Sequence, residues 1–185
     1  MQCDTYKRCK HESVAKPGLL RPLGVPDQAW ANMTIDFLEG LSRSKGRNCV
    51  LVMVDRLTKY SHFILSYPFT TKEVARMFLD NVVKLHGVPQ TIITDKDKVF
   101  TSLFWQGLLK SLGSKLHMST AYHPKTNDQS KSVNQCLETY LRCFCFIQPK
   151  KWHKWLSLAQ WWYNSSHHRS IGMTPFEALY GYKQA

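Results

Sequence analysis

A chain of 185 residues, 43% of them hydrophobic, can bury one sizeable core and reads as a single globular domain with at most a short appendage, which excludes a disordered chain. Its 25 Lys and Arg against 13 Asp and Glu give a formal charge of +12, which favours a polyanionic partner, nucleic acid first. No apolar run approaches the roughly 20 residues of a membrane-spanning helix, and the 6 cysteines show no framework spacing, so a soluble intracellular protein with reduced thiols is expected.

Met1 to about Ala29 is polar and basic, and Pro17, Gly18, Pro22, Gly24 and Pro26 argue against a helix or a central strand, so residues 1–29 are expected to form an arm or linker ahead of one domain over 30–185. From Trp30 the pattern changes. Met33 to Leu38, Cys49 to Val54 and His62 to Leu65 are short β-prone runs, parted by Gly40, Ser42, Ser44 and Gly46 and then by Arg56 to Tyr60, which predicts an antiparallel meander. Thr70 or Thr71 can cap a helix running to about His86, with Val74, Met77/Phe78, Val82 and Leu85 at helical spacing and Gly87 and Pro89 closing it. Thr91 to Thr94 reads as a fourth strand ending at Asp95, Ser102 to Leu112 as a helix closed by Gly113, and Lys115 to Met118 as a fifth strand. Beyond the Tyr122-His123-Pro124 loop, Val133, Leu137, Tyr140/Leu141 and Phe144 mark a long helix from about Asp128 to Phe146, and Trp152 to Tyr163 marks another. The order βββαβαβαα predicts an α/β domain, a five-stranded mixed sheet flanked by helices.

Asp36 lies inside the first strand, where a carboxylate among apolar neighbours is costly unless it is paired or binds a cation. Asp95 closes the fourth strand. Brought side by side, two strand-end carboxylates make a hard-cation site of the kind that Mg2+ or Mn2+ uses in phosphoryl transfer.

Seven ordered motifs carry a family resemblance: Thr34-Ile35-Asp36-Phe37, Val54-Asp55-Arg56-Leu57-Thr58-Lys59-Tyr60-Ser61-His62-Phe63, His86-Gly87-Val88-Pro89, Thr94-Asp95-Lys96-Asp97-Lys98-Val99-Phe100, Ser119-Thr120-Ala121-Tyr122-His123-Pro124, Val133-Asn134-Gln135 and Thr174-Pro175-Phe176-Glu177-Ala178-Leu179-Tyr180-Gly181. In this order they resemble the catalytic core of gypsy-type LTR retrotransposon integrases, from about Trp30 to the end of the chain. The resemblance implies an RNase H-like fold, DNA integration as the nominal process, a nuclear site of action, and two aspartates and a glutamate holding two Mg2+ or Mn2+ ions for in-line displacement. Asp36 then stands for the first aspartate and Asp95 for the second. The glutamate is expected after 35 intervening residues, and that position is Lys131.

An ammonium cannot ligate a cation and repels it, so the chain is expected to be catalytically inactive. That position admits two further readings: a solvated lysine without a role, or an ammonium seated between Asp36 and Asp95 in place of a metal. Glu138, seven residues on, lies roughly 10 Å along the helix, too far to substitute. Asp128 is one turn back and replaces a glycine usual in the family; an active metal-dependent polynucleotidyl transferase using Asp128 as substitute ligand is the alternative reading, and a non-enzymatic DNA-binding remnant is another.

Lys125, in a loop that the resemblance places near target DNA, together with Lys131, Lys150 and Lys151, are the expected nucleic-acid contacts. Cys3 is followed three residues later by Tyr6 where the family's zinc module has a C-x-x-C, with Cys9 the next thiol, so no zinc is expected. The helical spacing of Trp152, Trp155 and Trp162 points to a core or a subunit interface, and a homo-oligomer is one expected partner beside DNA.

Overall fold

The computed structural model describes residues 27–66, 70–119 and 128–184; the arm's proposed zinc remnant and Lys125 lie outside the described residues. Five strands form one sheet in the order β3-β2-β1-β4-β5: β1 (Asn32–Leu38), β2 (Cys49–Asp55), β3 (Ser61–Ser66), β4 (Thr91–Thr94) and β5 (Lys115–Met118). β1, β2 and β3 are antiparallel neighbours, whereas β4 runs parallel to β1 and β5 parallel to β4. This is the expected RNase H-like mixed sheet. β2 is buried along its whole length, with Leu51 and Met53 in one apolar cluster and Val50, Val52 and Val54 in the other, as a strand covered on both faces requires.

Helix α1 (Thr71–Phe78) opens with a capping box in which Thr70 Oγ1 accepts from Glu73 N and the Glu73 carboxylate accepts from Thr70 N. It continues through a π-helical turn (Leu79–Val83) into a last turn at Lys84–His86. The widened turn shifts the phase of that last turn, so Leu85, expected on the apolar stripe, is 59% exposed. A short helix α2 (Lys98–Thr101), absent from the sequence reading, is capped by Asp97, and α3 (Leu103–Leu112) comes at once after it. Val74, Phe78, Trp105 and Leu109 pack with Met33, Ile35 and Ile92 on one side of the sheet.

Helix α4 (Asp128–Cys145) covers the other side through Val133, Leu137, Tyr140, Leu141 and Cys145. Phe144, expected in that stripe, is half exposed and stacks on Tyr140 at 4.4 Å, with Cys145 taking the inward position. The helix expected from Trp152 to Tyr163 is two elements, a 3-10 helix (Pro149–Lys154) and α5 (Leu156–Ser165). The break is held by the buried Trp152 indole, which donates to Ser42 O at 2.6 Å. Trp162 is exposed, so the three tryptophans do not share one buried face. α6 (Pro175–Tyr180) carries a second capping box, Thr174 with Glu177.

α5 also closes the open edge of β3. Gln160 Oε1 accepts from Phe63 N, while Asn164 accepts from Ser61 N and donates to Ser61 O, so side chains satisfy ladder groups that would otherwise recruit another strand. Among the described residues no helix is long and apolar enough to cross a membrane. Cys49 and Cys145 are buried thiols, not disulfides, and burial pushes both thiols up.

The domain's first core residue is anchored electrostatically. The fully buried Asp55 accepts from Trp30 N, Thr58 N and Thr58 Oγ1, tying the chain entry to the β2–β3 turn. Trp30 stacks on His86 at 4.2 Å, and His86 Nε2 meets His62 Nε2 at 3.0 Å. Burial, with His86 beside it, pushes His62 down to about 4. An unfolded histidine titrates near 6.5, so between about 6.5 and 4 the unfolded chain binds more protons, and stability is full above that window and lost as pH falls through it. Lowering the pH from 7 to 5 is therefore expected to destabilise the fold by about 1–2 kcal/mol, read as a drop in Tm, and His62→Phe should flatten that dependence. A parent Tm that is constant or rises over this range would contradict the buried pair.

Candidate active site at the carboxyl ends of two parallel strands

The register of β1 on β4 fixes the site. Thr34 pairs with Ile93 and Ile35 with Thr94, so the next residues in step are Asp36 and Asp95, on neighbouring strands. Residues opposite each other in parallel strands face the same way; Met33, Ile35 and Ile92 point into the α1–α3 cluster, so the two aspartates point toward α4. Both carboxylates are held above the usual carboxylate range. For Asp36 the first cause is burial, with repulsion from Asp95 adding to it. For Asp95 burial again comes first, and the charge of Asp97 adds to it.

Asp36 is 8% exposed and does not stand alone. Its Oδ1 accepts from Phe37 N at 2.9 Å, its Oδ2 accepts from Asn134 Nδ2 at 3.1 Å, and the Ser130 side chain hydrogen-bonds to it as well. Asp95 Oδ1 accepts from Asp97 N at 3.2 Å, and Asp97 in turn caps α2 through Val99 N. Ser130 and Asn134, one turn apart on α4, thus position the carboxylate of Asp36. Sequence reading assigned neither a role. The available signal was that Ser130 and Asn134 are four apart and Asn134 lies three beyond position 131, since residues three and four apart share a helix face.

Lys131 lies on the same turn, and its side chain is exposed. Its charge reaches Asp36 as the weakest of the influences on that carboxylate, and it forms no ion pair with either aspartate among the described residues. The ammonium seated between the two aspartates is therefore not what the structure has. Glu138 pairs with Arg142 on the outer face of α4. Lys150 and Lys151 are exposed on the 3-10 helix, away from the aspartates in sequence and on a different element.

A buried Asp36 and a half-buried Asp95 fit one divalent cation, whose charge would relieve the repulsion by Asp95 that adds to the lift of Asp36. They do not fit two. Among the described residues no three His, Cys, Asp or Glu side chains gather where a metal could be held. The residues that would hold a cation are Asp36 and Asp95.

Sheet order and flanking helices define an RNase H-like domain. The family model for the integrase core domain matches residues 26–124, and the chain belongs to that family. It is 33% identical over 184 residues to the Transposon Tf2-3 polyprotein of Schizosaccharomyces pombe, and to the Tf2-4 polyprotein of the same yeast at the same level. The match covers 99% of this chain and 14% of each polyprotein, so the chain spans about a seventh of the length of these relatives. Among solved structures, a simian T-cell lymphotropic virus intasome in complex with PP2A regulatory subunit B56 gamma superposes with a TM-score of 0.73 at 18% identity, over 99% of this chain and 65% of that one. The HTLV-2 integrase catalytic core domain in complex with magnesium, in a trimeric form, gives 0.66 at 19% identity, over 84% and 98%. At these identities the structures show the fold alone.

Because burial and Asp95 oppose the charged form of Asp36, its ionisation weakens the native state at neutral pH, an effect relieved as pH falls through its raised value. Asp36→Asn is expected to raise Tm without divalent metal, by about 1 kcal/mol of stability. The new amide can still accept from Phe37 N, and a turned Asn134 can accept from it with Oδ1, which now has no partner. Mg2+ should stabilise the parent and leave the variant unchanged. A lower Tm for Asp36→Asn in metal-free buffer would contradict the repelling pair.

Proposed function

We propose that this chain is the catalytic-core domain of an integrase from a gypsy-type LTR retrotransposon, that it binds DNA, and that it is catalytically silent. The observation that carries the silence is the face α4 turns toward Asp36, where Ser130, Lys131 and Asn134 bring no carboxylate among the described side chains. Supporting the origin are membership of the integrase core family, the identity to the Tf2 polyproteins and the ordered motifs.

In this reading Asp36 and Asp95 hold one Mg2+ or Mn2+ weakly, Ser130 and Asn134 orient Asp36, and the lysine at 131 supplies neither a ligand nor a lone pair. A bound pair of ions would activate the attacking oxygen and stabilise the leaving one. Among the described residues no third carboxylate joins Asp36 and Asp95 to fix a second ion. Magnesium in the HTLV-2 core is consistent with the cation assigned here. Lys125, Lys131, Lys150 and Lys151 are the proposed phosphate contacts. The relatives described as dimeric and trimeric forms, with half-exposed Phe144 and Trp161 on this chain, support self-association. A nuclear site of action follows from the proposed role.

The test pairs the parent with Lys131→Glu in Mn2+, measuring 3′-end processing and disintegration on labelled DNA ends. Losing an ion that contributes several kcal/mol to the transition state lowers rate by several orders of magnitude, at about tenfold per 1.36 kcal/mol, so the parent should show no turnover. Lys131→Glu should be necessary for any activity that appears. Robust metal-dependent turnover by the parent would refute the silent site, and its loss in Asp128→Gly would identify Asp128 as the replacement ligand.

A further inference from the structure

We infer that the β1–β2 loop and the 3-10 helix form one preorganised surface that grips the phosphate backbone of duplex DNA beside the aspartate pair. This deepens the DNA-binding reading above by adding Arg43 and Lys45 to Lys150 and Lys151 and by placing all four on one joined structure.

The two segments are more than 100 residues apart in the chain and are joined at a buried centre. Ser44, fully buried, donates its hydroxyl to Lys150 O, and the same oxygen lies 2.7 Å from His153 Nδ1. Next to it the Trp152 indole donates to Ser42 O. Arg47 braces the base of the loop by donating to Leu65 O at 2.9 Å. Around this centre Arg43, Lys45, Lys150, Lys151 and Lys154 are all exposed, and none forms an ion pair among the described residues. Glu39, Asp97 and Asp36 are acids whose charge reaches Cys49 at the base of the loop, and Glu73 is influenced by Arg47.

The tip of the loop gives a second, independent observation. Ser44 N donates to Arg47 O at 2.7 Å and Arg47 N to Ser44 O at 3.0 Å, closing a two-residue turn whose central residues have φ 52 (Lys45) and φ 82 (Gly46). Such a turn needs left-handed backbone at both positions, which Asn or Gly adopts readily and lysine does not. Lysine therefore holds an exposed tip at the expense of backbone strain, the signature of a side chain kept for what it touches.

Position fits the same partner. The loop leaves β1 at the end that carries Asp36, and α4 leads from Asn134, at Asp36, to Cys145, just before the 3-10 helix. Eleven residues of helix at about 1.5 Å each separate them by roughly 16 Å, or about five base pairs of duplex at 3.4 Å per step. A duplex lying over the aspartates can reach the basic surface without bending.

Fluorescence anisotropy with a labelled 20-base-pair duplex, over a series of salt concentrations, tests this on the full chain. Arg43→Ala with Lys45→Ala, and separately Lys150→Ala with Lys151→Ala, should each lower the slope of log K against log salt by about 1.8, two phosphates' worth. The control pair Lys110→Ala with Lys115→Ala removes the same charge at the opposite end of the sheet, where Lys115 pairs with Thr91, and should change the slope by less than half as much. Lys45→Asn should raise Tm by about 1–3 °C while weakening DNA binding, a combination that a merely structural lysine would not give. A control pair as damaging as the loop pair, a Lys45→Asn protein that binds DNA like the parent, or a parent that binds poly-glutamate but not DNA would each overturn the inference. If the parent binds DNA and the surface variants bind it with an unchanged salt slope, this surface fails while the proposed silent integrase core stands. Turnover by the unmodified parent sinks that reading alone.

Discussion

Parallel pairing of β1 with β4 is the constraint on which the site depends. Antiparallel neighbours would carry the ends of Ile35 and Thr94 apart, whereas parallel ones finish together and set Asp36 beside Asp95. Neighbouring strands lie roughly 4.8 Å apart, so the two charges meet at close range in a partly buried setting. A parallel neighbour cannot be reached by a tight turn. β2, β3 and α1 fill the crossover, and their packing on both faces of the sheet holds the register against the repulsion.

Helix α4 decides what the acid pair can do. Its first turns bring two neutral donors to Asp36 and leave a cation at the rim, and the order of influences on Asp36 shows which effect wins. Burial raises that carboxyl most; the Phe37 N–H is the strongest opposing contact, and Lys131 the weakest. The lysine therefore fails to replace a metal electrostatically, just as it fails chemically for want of a lone pair. What the described residues present is an acidic pair, with Ser130 and Asn134 positioning Asp36 and an exposed lysine at 131.

Much of this was legible in the sequence because short β-prone runs with turn residues between them mark strands, and the five strands fall where those runs are. Asp36 stood out as a carboxylate in an apolar run. The phase errors have local causes: a π-helical turn rotated Leu85 outward, and Tyr140 drew Phe144 into an aromatic stack at the surface. α2 was missed because four residues carry no period, although Asp97 two places before Val99 was a cap signal. Ser130 and Asn134 were invisible as partners of Asp36 because their contact spans about 100 residues of chain, a distance only the assembled sheet closes. The joining of Ser44 to Lys150 was hidden for the same reason.

Mn2+ binding, counted by electron paramagnetic resonance on the parent and Lys131→Glu proteins, tests the central claim most directly. At most one weakly held ion is expected for the parent, with loss of that ion in Asp36→Asn and a second ion only when a carboxylate stands at 131. Two tightly held ions on the unmodified parent would contradict that claim.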